Sequence, residues 1–133
     1  MYEAKDMDCR FKANKVELEV GHSVNITAGD EVEMAYAMVE NGPIALGYQV
    51  KGDFKAYKSG VYRNDDCGTR PDQVNHAVLA VGYGTENGID YWYVKNSWDE
   101  SWGDHGFFKI ERGVNMCALA QCNSFPEYVK LKN

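Results

Sequence analysis

The chain has 133 residues, which is the length of one domain and enough to bury a core of its own. Hydrophobic residues make up 44% and charged residues 26%, the composition of a globular protein rather than a disordered one. The net charge of −6 disfavours a nucleic-acid partner, and no apolar run approaches the roughly 20 residues that a membrane-spanning helix needs.

The first third of the chain is predicted to hold a short strand and one helix. Within an irregular, extended segment at 1–29, the alternation at 16–20 predicts the strand. The helix is predicted to begin at Asp30, with Glu33 three residues later as in a capping box, and to be stopped by Asn41-Gly42-Pro43. Its predicted buried stripe consists of four apolar residues: Val32, Ala35, Met38 and Val39.

The rest of the chain is predicted to be mostly β, with helical turns at 53–57 and 116–120. The predicted strands are 44–50, 60–62, 76–83, 90–97, 106–111 and 128–131. Asn87-Gly88 is a strong turn signal, so the strands on either side of it should form an antiparallel hairpin. Consecutive antiparallel strands with one helix packed on them predict a single α+β domain with a barrel-like sheet.

The predicted hairpin brings two polar residues side by side. His76 begins its first strand, Asn96 lies near the end of its second strand, and Trp98 follows. A histidine held by an asparagine amide and covered by an indole is half of the machinery of a thiol protease. The alternative is that His76 is an ordinary polar residue at a strand end and that Asn96 only caps a turn.

A family resemblance extends over almost the whole chain. The segments that carry it are Asn41-Gly42-Pro43-Ile44-Ala45, Tyr57-Lys58-Ser59-Gly60-Val61-Tyr62, Asn75-His76-Ala77-Val78, Val94-Lys95-Asn96-Ser97-Trp98, Trp102-Gly103-Asp104-His105-Gly106-Phe107 and Met116-Cys117-Ala118-Leu119. In this order they resemble the C-terminal half of the papain family of cysteine proteases, the cathepsin group. The resemblance implies a papain-like right-hand domain with a barrel-like antiparallel sheet and one main helix. The N-terminal helical domain is expected to be absent, and 1–133 is expected to be a single C-terminal half-domain.

The resemblance also implies residue roles. His76 matches the catalytic base of the family, Asn96 the residue that orients the imidazole, and Trp98 the indole that shields their contact. The family's nucleophile and oxyanion-hole glutamine lie in a Gln-x-x-x-x-x-Cys-Gly-x-Cys-Trp type segment, which does not occur in this sequence. The chain is therefore expected to act as a cysteine-type peptidase only when a Cys-bearing half is supplied, and to be inactive alone.

The four cysteines fit the same resemblance. Cys67 and Cys117 are implied to form a disulfide, and the implied partner of Cys9 belongs to the missing half. Cys122 falls where the cathepsin H-like branch tethers a short propeptide remnant, and the surrounding sequence resembles that branch more than cathepsin L. The alternative for Cys122 is a buried, reduced thiol that packs as a small apolar residue.

A substrate pocket and one departure from the family pattern follow from the same matches. Gly47, Asn75 and Ala77 match walls of the pocket for the substrate's second residue, with Cys122 near its floor; Gly47 can equally serve to relieve crowding in a strand.

The family usually has glycine where this chain has Asp99. If that glycine is favoured for a positive φ, aspartate carries a modest penalty there and adds a charge beside the indole.

Three functional hypotheses remain open from the sequence. The chain is the His/Asn-bearing half of a peptidase that binds its N-terminal half through an apolar face and, once completed, a peptide substrate. Alternatively, that face docks on an unrelated protein and the chain is a non-catalytic structural subunit, or the chain is a fragment without a separate role. No cofactor or metal is expected, since the four cysteines form no Cys-x-x-Cys pair and the three histidines are scattered.

The expected location is lysosomal or secreted. This follows from the resemblance and from Asn25-Ile26-Thr27, which fits the N-glycosylation acceptor pattern with Asn25 as the possible site. The first residues contain no apolar stretch of the kind found in a signal peptide. The expectation therefore depends on the family pattern and not on a targeting segment.

Overall fold

The computed structural model describes residues 6–132, and residues 1–5 of the segment predicted to be irregular lie outside the described residues. The strands of this part of the chain are β1 (Leu18–Asn25), β2 (Ile44–Tyr48), β3 (Val61–Tyr62), β4 (His76–Glu86), β5 (Ile89–Lys95), β6 (Phe107–Glu111) and β7 (Asn123–Leu131). One α-helix, α1 (Glu31–Asn41), packs on them. Short 3₁₀ helices lie at Ala13–Lys15, Gly52–Ala56, Pro71–Gln73 and Met116–Ala118. The predicted α+β class with one main helix is confirmed.

All seven strands belong to one sheet in the order β1-β7-β2-β4-β5-β6-β3. The β4–β5 hairpin turns at Asn87 and Gly88, whose φ angles of 52° and 80° suit a primed turn. The sheet is mixed rather than wholly antiparallel, because β3 pairs parallel with β6. The chain reaches that edge only after passing through the β4–β5 hairpin, and such a long connection permits parallel pairing.

Helix α1 begins and ends where the sequence predicts. The Asp30 side chain accepts hydrogen bonds from the backbone N–H groups of Val32 (3.0 Å) and Glu33 (2.8 Å). The capping box itself is not formed as predicted, because Glu33 Oε2 accepts from the backbone N–H of Thr27, at 3.0 Å, instead of from that of Asp30. The helix ends at Asn41, followed by Gly42 with φ 93°.

The predicted buried stripe of α1 is wrong at two of its four positions. Val32 and Val39 are 65% and 66% exposed, whereas Met34 and Met38 are buried. The helix carries apolar side chains on two sides, and hydrophobic periodicity alone does not say which side faces the sheet. The sheet-facing side also includes Glu31, a charged residue that a search for apolar positions passes over.

Glu31 is buried because its carboxylate is fully used. Its Oε2 accepts hydrogen bonds from Trp92 Nε1 at 2.7 Å and from the backbone N–H of Gly113 at 2.8 Å, and its Oε1 accepts from the N–H of Asn115 at 2.6 Å. A buried carboxylate is tolerated when such donors replace the water it has lost. This Glu31 clamp ties the start of α1 to β5 and to the segment that follows β6.

Strands β1 and β7 are longer than predicted and form a ribbon at one end of the sheet. They pair from Leu18↔Leu131 to Asn25↔Ser124, and β7 then pairs with β2. Within the described residues no helix is both long and apolar enough to cross a membrane.

Candidate active site

His76 and Asn96 meet at the end of the β4–β5 hairpin. His76 is the first residue of β4, and Asn96 directly follows β5. His76 Nε2 lies 2.9 Å from Asn96 Oδ1, within hydrogen-bond distance. Asn96 is buried, and its backbone N–H is fixed by a 2.9 Å bond to the carbonyl of Gly106. The structure thus places in contact the two residues that the hairpin pattern brings together.

A third hydrogen bond fixes the proton on the imidazole. The backbone N–H of Ser97 donates to Asn96 Oδ1 at 2.8 Å, which identifies this atom as the carbonyl oxygen of the amide. Because a carbonyl oxygen only accepts, His76 Nε2 must be the donor and carries the proton in the neutral imidazole. His76 Nδ1 then holds the lone pair, so it is the nitrogen that can take up a proton.

Aromatic rings surround this pair. The ring centroids of Trp98 and Tyr48 lie 5.1 Å and 5.7 Å from that of His76. Phe54 supports both rings, at 5.8 Å from Trp98 and 5.4 Å from Tyr48, and Trp102 packs on Trp98 at 5.0 Å. We call Tyr48, Phe54, Trp98 and Trp102 the aromatic cage. It keeps water from one side of the His76–Asn96 hydrogen bond, which strengthens that bond.

Three members of the aromatic cage were not identified from the sequence as site residues: Tyr48, Phe54 and Trp102. Tyr48 reaches the site because β2 pairs with β4 in the register Tyr48↔His76, a long-range pairing that no local sequence signal predicts. Its phenol is fully buried, and its hydroxyl has no hydrogen-bond partner among the described residues. Burial, followed by the nearby Tyr62, raises the pKa of Tyr48 well above its ordinary value.

Asp99 occupies the position where the family usually has glycine. Its φ is 78°, in the left-handed region that glycine enters at no steric cost. Its carboxylate is used locally, as Oδ1 accepts from the backbone N–H of Ser101 at 3.2 Å. The expected positive φ is therefore present, and the contact between His76 and Asn96 forms with aspartate there.

The predicted pocket residues line one cavity of about 470 Å³. Gly47, Asn75, Ala77 and Cys122 all contribute to it, and so does His76. A Cβ atom at position 47 would lie 2.7 Å from Val74 Cγ1, so a larger residue there would force the Val74 side chain to shift. The contact supports the interpretation that Gly47 relieves crowding, and its role in a substrate pocket stays a prediction.

The Asn75 side chain forms the hydrogen bonds that the backbone of a strand residue would form. Its Oδ1 accepts from the backbone N–H of Val50 at 2.8 Å, and its Nδ2 donates to the carbonyl of Val50 at 3.3 Å. Its own backbone N–H donates to the carbonyl of Tyr48 at 3.1 Å. The ladder between β2 and β4 is thereby extended past His76, which limits movement of the segment that carries the imidazole.

The cysteines divide into one bonded pair and two free thiols. The Cys67–Cys117 disulfide is confirmed. Cys9 and Cys122 are free and exposed. The alternative of a buried thiol at Cys122 is therefore wrong, because Gly47 beside it has no side chain with which to cover it.

The other two histidines and Asn25 of the sequon make other contacts or lie in exposed segments. His22 pairs with Glu127 at 2.8 Å on the ribbon, and Asn25 is an exposed residue at the end of β1. His105 is an exposed residue with φ 53° in the loop before β6. No group of three His, Cys, Asp or Glu residues in the described part of the chain is arranged to hold a metal ion.

Comparisons with known proteins agree with this geometry. The family model described as papain family cysteine protease matches residues 1–127. The thiol protease aleurain of Arabidopsis thaliana is 50% identical over 94% of this chain and 35% of its own length, and pro-cathepsin H of Mus musculus is 52% identical over 94% of this chain and 38% of its own length. The chain thus spans little more than a third of the relatives it matches.

Solved structures of proteases also superpose on most of this chain. The digestive procathepsin L2 proteinase of Tenebrio molitor superposes with a TM-score of 0.88 at 41% identity, over 94% of this chain and 39% of that one. The bromelain protease of Ananas comosus, in complex with the inhibitor E64, superposes with a TM-score of 0.72 at 36% identity, over 80% of this chain and 50% of that one.

Proposed function

The chain belongs to the papain family of cysteine proteases, and from this premise we propose that it is the His/Asn-bearing half of a thiol peptidase active site. The single observation that carries the proposal is the 2.9 Å contact between His76 Nε2 and Asn96 Oδ1 beneath the aromatic cage. A histidine that is merely polar at a strand end needs no buried amide to fix its tautomer. Here one is present, and its own orientation is fixed by Ser97.

The proposed chemistry uses the free nitrogen of the imidazole. Nδ1 of His76 accepts the proton of a cysteine thiol supplied by another segment, and the thiolate attacks the carbonyl carbon of a peptide bond. The imidazolium then returns the proton to the leaving amine, and water later releases the acyl group from the sulfur. Asn96 accepts from Nε2–H throughout, so the ring keeps its orientation whether it is neutral or charged.

The nucleophile is not expected to come from this chain. Cys67 and Cys117 are bonded to each other, and within the described residues neither Cys9 nor Cys122 is hydrogen-bonded to His76. Cys122 lines the pocket proposed for the second residue of a bound peptide. The chain alone is therefore proposed to be inert, and the Cys-bearing N-terminal half is proposed as its partner.

An uncovered apolar surface supports the need for a partner. On one side of the β1–β7 ribbon, Leu18 pairs with Leu131 and Val20 pairs with Val129. Residues directly opposite each other lie on the same face of a sheet, so these four make a continuous row, which we call the apolar ladder. All four are about half exposed or more. The second candidate function, a non-catalytic structural subunit, uses the same ladder to dock on an unrelated protein.

The proposed location is lysosomal or secretory. The Cys67–Cys117 disulfide supports it, since such bonds persist in oxidising compartments. The similarity to pro-cathepsin H and aleurain supports it as well.

The test is reconstitution with the Cys-bearing half of a relative such as pro-cathepsin H. The assembled protein should hydrolyse a fluorogenic peptide and react with a thiol-directed epoxide, and the chain alone should not turn over peptide. Changing His76→Asn in the assembly should lower kcat by about 10³-fold or more, because the general base is lost. The same change at the exposed His105, His105→Asn, is the matched control and should leave turnover unchanged.

The outcomes separate the candidates. Turnover that survives His76→Asn would remove this residue from the mechanism. If the chain does not bind the Cys-bearing half at all, the structural-subunit function is favoured. Turnover by the chain alone, with labelling at one of its four cysteines, would show that the nucleophile lies within it.

A further inference from the structure

Helix α1 carries a second apolar side that the sheet does not cover. Val32, Tyr36 and Val39 are mostly exposed, and Ala35 between them is partly buried. Their spacing of i, i+3, i+4 and i+7 places these four residues on one side of the helix. We call Val32, Ala35, Tyr36 and Val39 the outer stripe. A stripe with this spacing is the surface through which helices pack against one another.

The outer stripe lines a groove of about 430 Å³, together with Tyr83 of β4, Arg112 and Glu40. The guanidinium of Arg112 lies over the Tyr83 ring, 5.2 Å from its centroid. Glu40 is at the C-terminal end of α1, whereas Arg112 lies near the N-terminal end, because the backbone N–H of Gly113 is bonded to Glu31. A groove with a carboxylate at one end and a guanidinium at the other is complementary to itself when it is turned end to end.

A two-fold axis would bring the same groove of two copies together in this way. If the axis crosses α1 midway between Ala35 and Tyr36, the two helices run antiparallel. Val32 then faces Val39 of the second copy, and the large side chain of Tyr36 faces the small side chain of Ala35. A large residue opposite a small one lets the two helices approach without leaving a gap.

The charges agree with the same arrangement. Glu40 of one copy would lie at the start of α1 of the other, where the helix dipole favours a negative charge and Arg112 is close. Arg112 already donates to Asp90 at 3.0 Å, but a guanidinium has five N–H donors and can serve a second carboxylate. An antiparallel pair thus joins opposite charges at both ends, whereas a parallel pair would place like charges together.

We propose that the outer stripe is the contact surface of a symmetric dimer, in which the α1 helices of two copies of this chain pack antiparallel. The exposed apolar side chains and their rims would bury roughly 1,000 Å² in total, the size of a transient complex, and the net charge of −6 opposes association. We therefore expect a dissociation constant on the order of 100 µM. Among the described residues, none lines both this groove and the pocket beside His76, and the dimer does not depend on peptidase activity.

Association is tested by sedimentation equilibrium of the full chain from about 5 to about 500 µM. Cys9 and Cys122 are replaced by serine so that no disulfide joins two copies through these free thiols. Tyr36→Glu should raise the dissociation constant at least tenfold, because it places a charge in the apolar contact. Tyr128→Glu is the matched control, since Tyr36 and Tyr128 are 70% and 73% exposed and Tyr128 lies on the β1–β7 ribbon. It should leave the dissociation constant unchanged.

Two outcomes would overturn the proposal. A chain that stays monomeric at the highest concentration does not pair through the outer stripe, and the groove is then left for a different protein. A dimer that Tyr36→Glu leaves intact is formed by another surface, such as the apolar ladder.

The direction of the helices is tested by cross-linking in the same serine background. Val32→Cys and Val39→Cys chains are prepared separately, mixed and gently oxidised. The mixture should form disulfide-linked heterodimers, because these two positions face each other across the axis. Each chain alone should cross-link at least tenfold more slowly, because like positions would then lie about 10 Å apart along the helices. Val32→Cys chains that cross-link with one another as fast as with Val39→Cys chains would overturn the antiparallel pairing.

Discussion

The aromatic cage and the apolar ladder are built from the same kinds of side chain but differ in what covers them. Phe54 and Tyr48 of the cage are fully buried by residues of this chain, whereas Leu18 and Leu131 of the ladder are 53% and 74% exposed. The chain thus completes its own surroundings for His76 and leaves the ladder uncovered. The difference indicates that this chain alone fixes the geometry of the imidazole, whereas it leaves the ladder open to the partner proposed above.

The largest expected contrast comes from removing one side chain from each region. Phe54→Ala should lower the free energy of unfolding by about 3–5 kcal/mol, because a buried ring that supports Trp98, Trp102 and Tyr48 is replaced by a cavity. Leu131→Ala should cost no more than about 0.5 kcal/mol in the isolated chain, because the side chain is already in water. Urea denaturation of both variants measures this, and similar losses would mean that the ladder is covered in solution.

The second largest effect on stability is expected from removing the Glu31 clamp. Glu31→Ala would leave three donors without an acceptor inside the protein: Trp92 Nε1 and the N–H groups of Gly113 and Asn115. We expect a loss of about 3 kcal/mol, since buried donors that lose a charged partner bear the full cost of desolvation. Glu40→Ala, an exposed change on the same helix, should stay within about 0.5 kcal/mol. If the two variants unfold at the same urea concentration, the Glu31 clamp contributes nothing to the free energy of unfolding.

A third effect should appear only at alkaline pH. Burial raises the pKa of Tyr48 far above the value of 10.0 expected in the unfolded chain. The folded protein then keeps a proton that the unfolded chain loses, so stability is unaffected below pH 10 and falls above it by up to about 1.4 kcal/mol per pH unit.

Tyr48→Phe should remove that contribution to the slope. It should also raise stability at neutral pH by about 1 kcal/mol, because the hydroxyl it deletes is buried without a partner among the described residues. Tyr36→Phe, at a residue 70% exposed, should change neither quantity. Chemical denaturation between pH 7 and 11 compares the three proteins. An unchanged alkaline slope in Tyr48→Phe would mean that Tyr48 ionises normally when folded.

The sequence predicted the hairpin and its His76–Asn96 pair because both depend on local signals. Asn87-Gly88 sets the turn, and alternation along the strands sets the faces. The ends of α1 were predictable for the same reason, since Asp30 and Gly42 act on their own neighbours.

Features that depend on distant contacts were missed. Nothing near Val32 or Val39 says that the sheet lies on the side of Met34, because that is decided by strands far along the chain. The support that Tyr48 and Phe54 give to the site, and the burial of Glu31, likewise arise only when β2, β5 and the segment after β6 come together. The residues of the apolar ladder were predicted correctly to lie in strands. Their sequence does not indicate what covers the apolar side chains.

The smallest expected effect concerns Asp99, which lies beside the aromatic cage where the family usually has glycine. Asp99→Gly should raise the free energy of unfolding by about 0.5 kcal/mol, because φ 78° strains every residue except glycine and strains aspartate less than most. Asp65→Gly, at a loop residue without a positive φ, should instead lower it by a similar amount through the greater entropy of the unfolded chain. Opposite signs in thermal unfolding would locate the strain at residue 99, and equal losses would show that there is none. Since His76 and Asn96 already lie 2.9 Å apart with aspartate in place, relieving this strain should leave the NMR signals of the His76 ring almost unchanged.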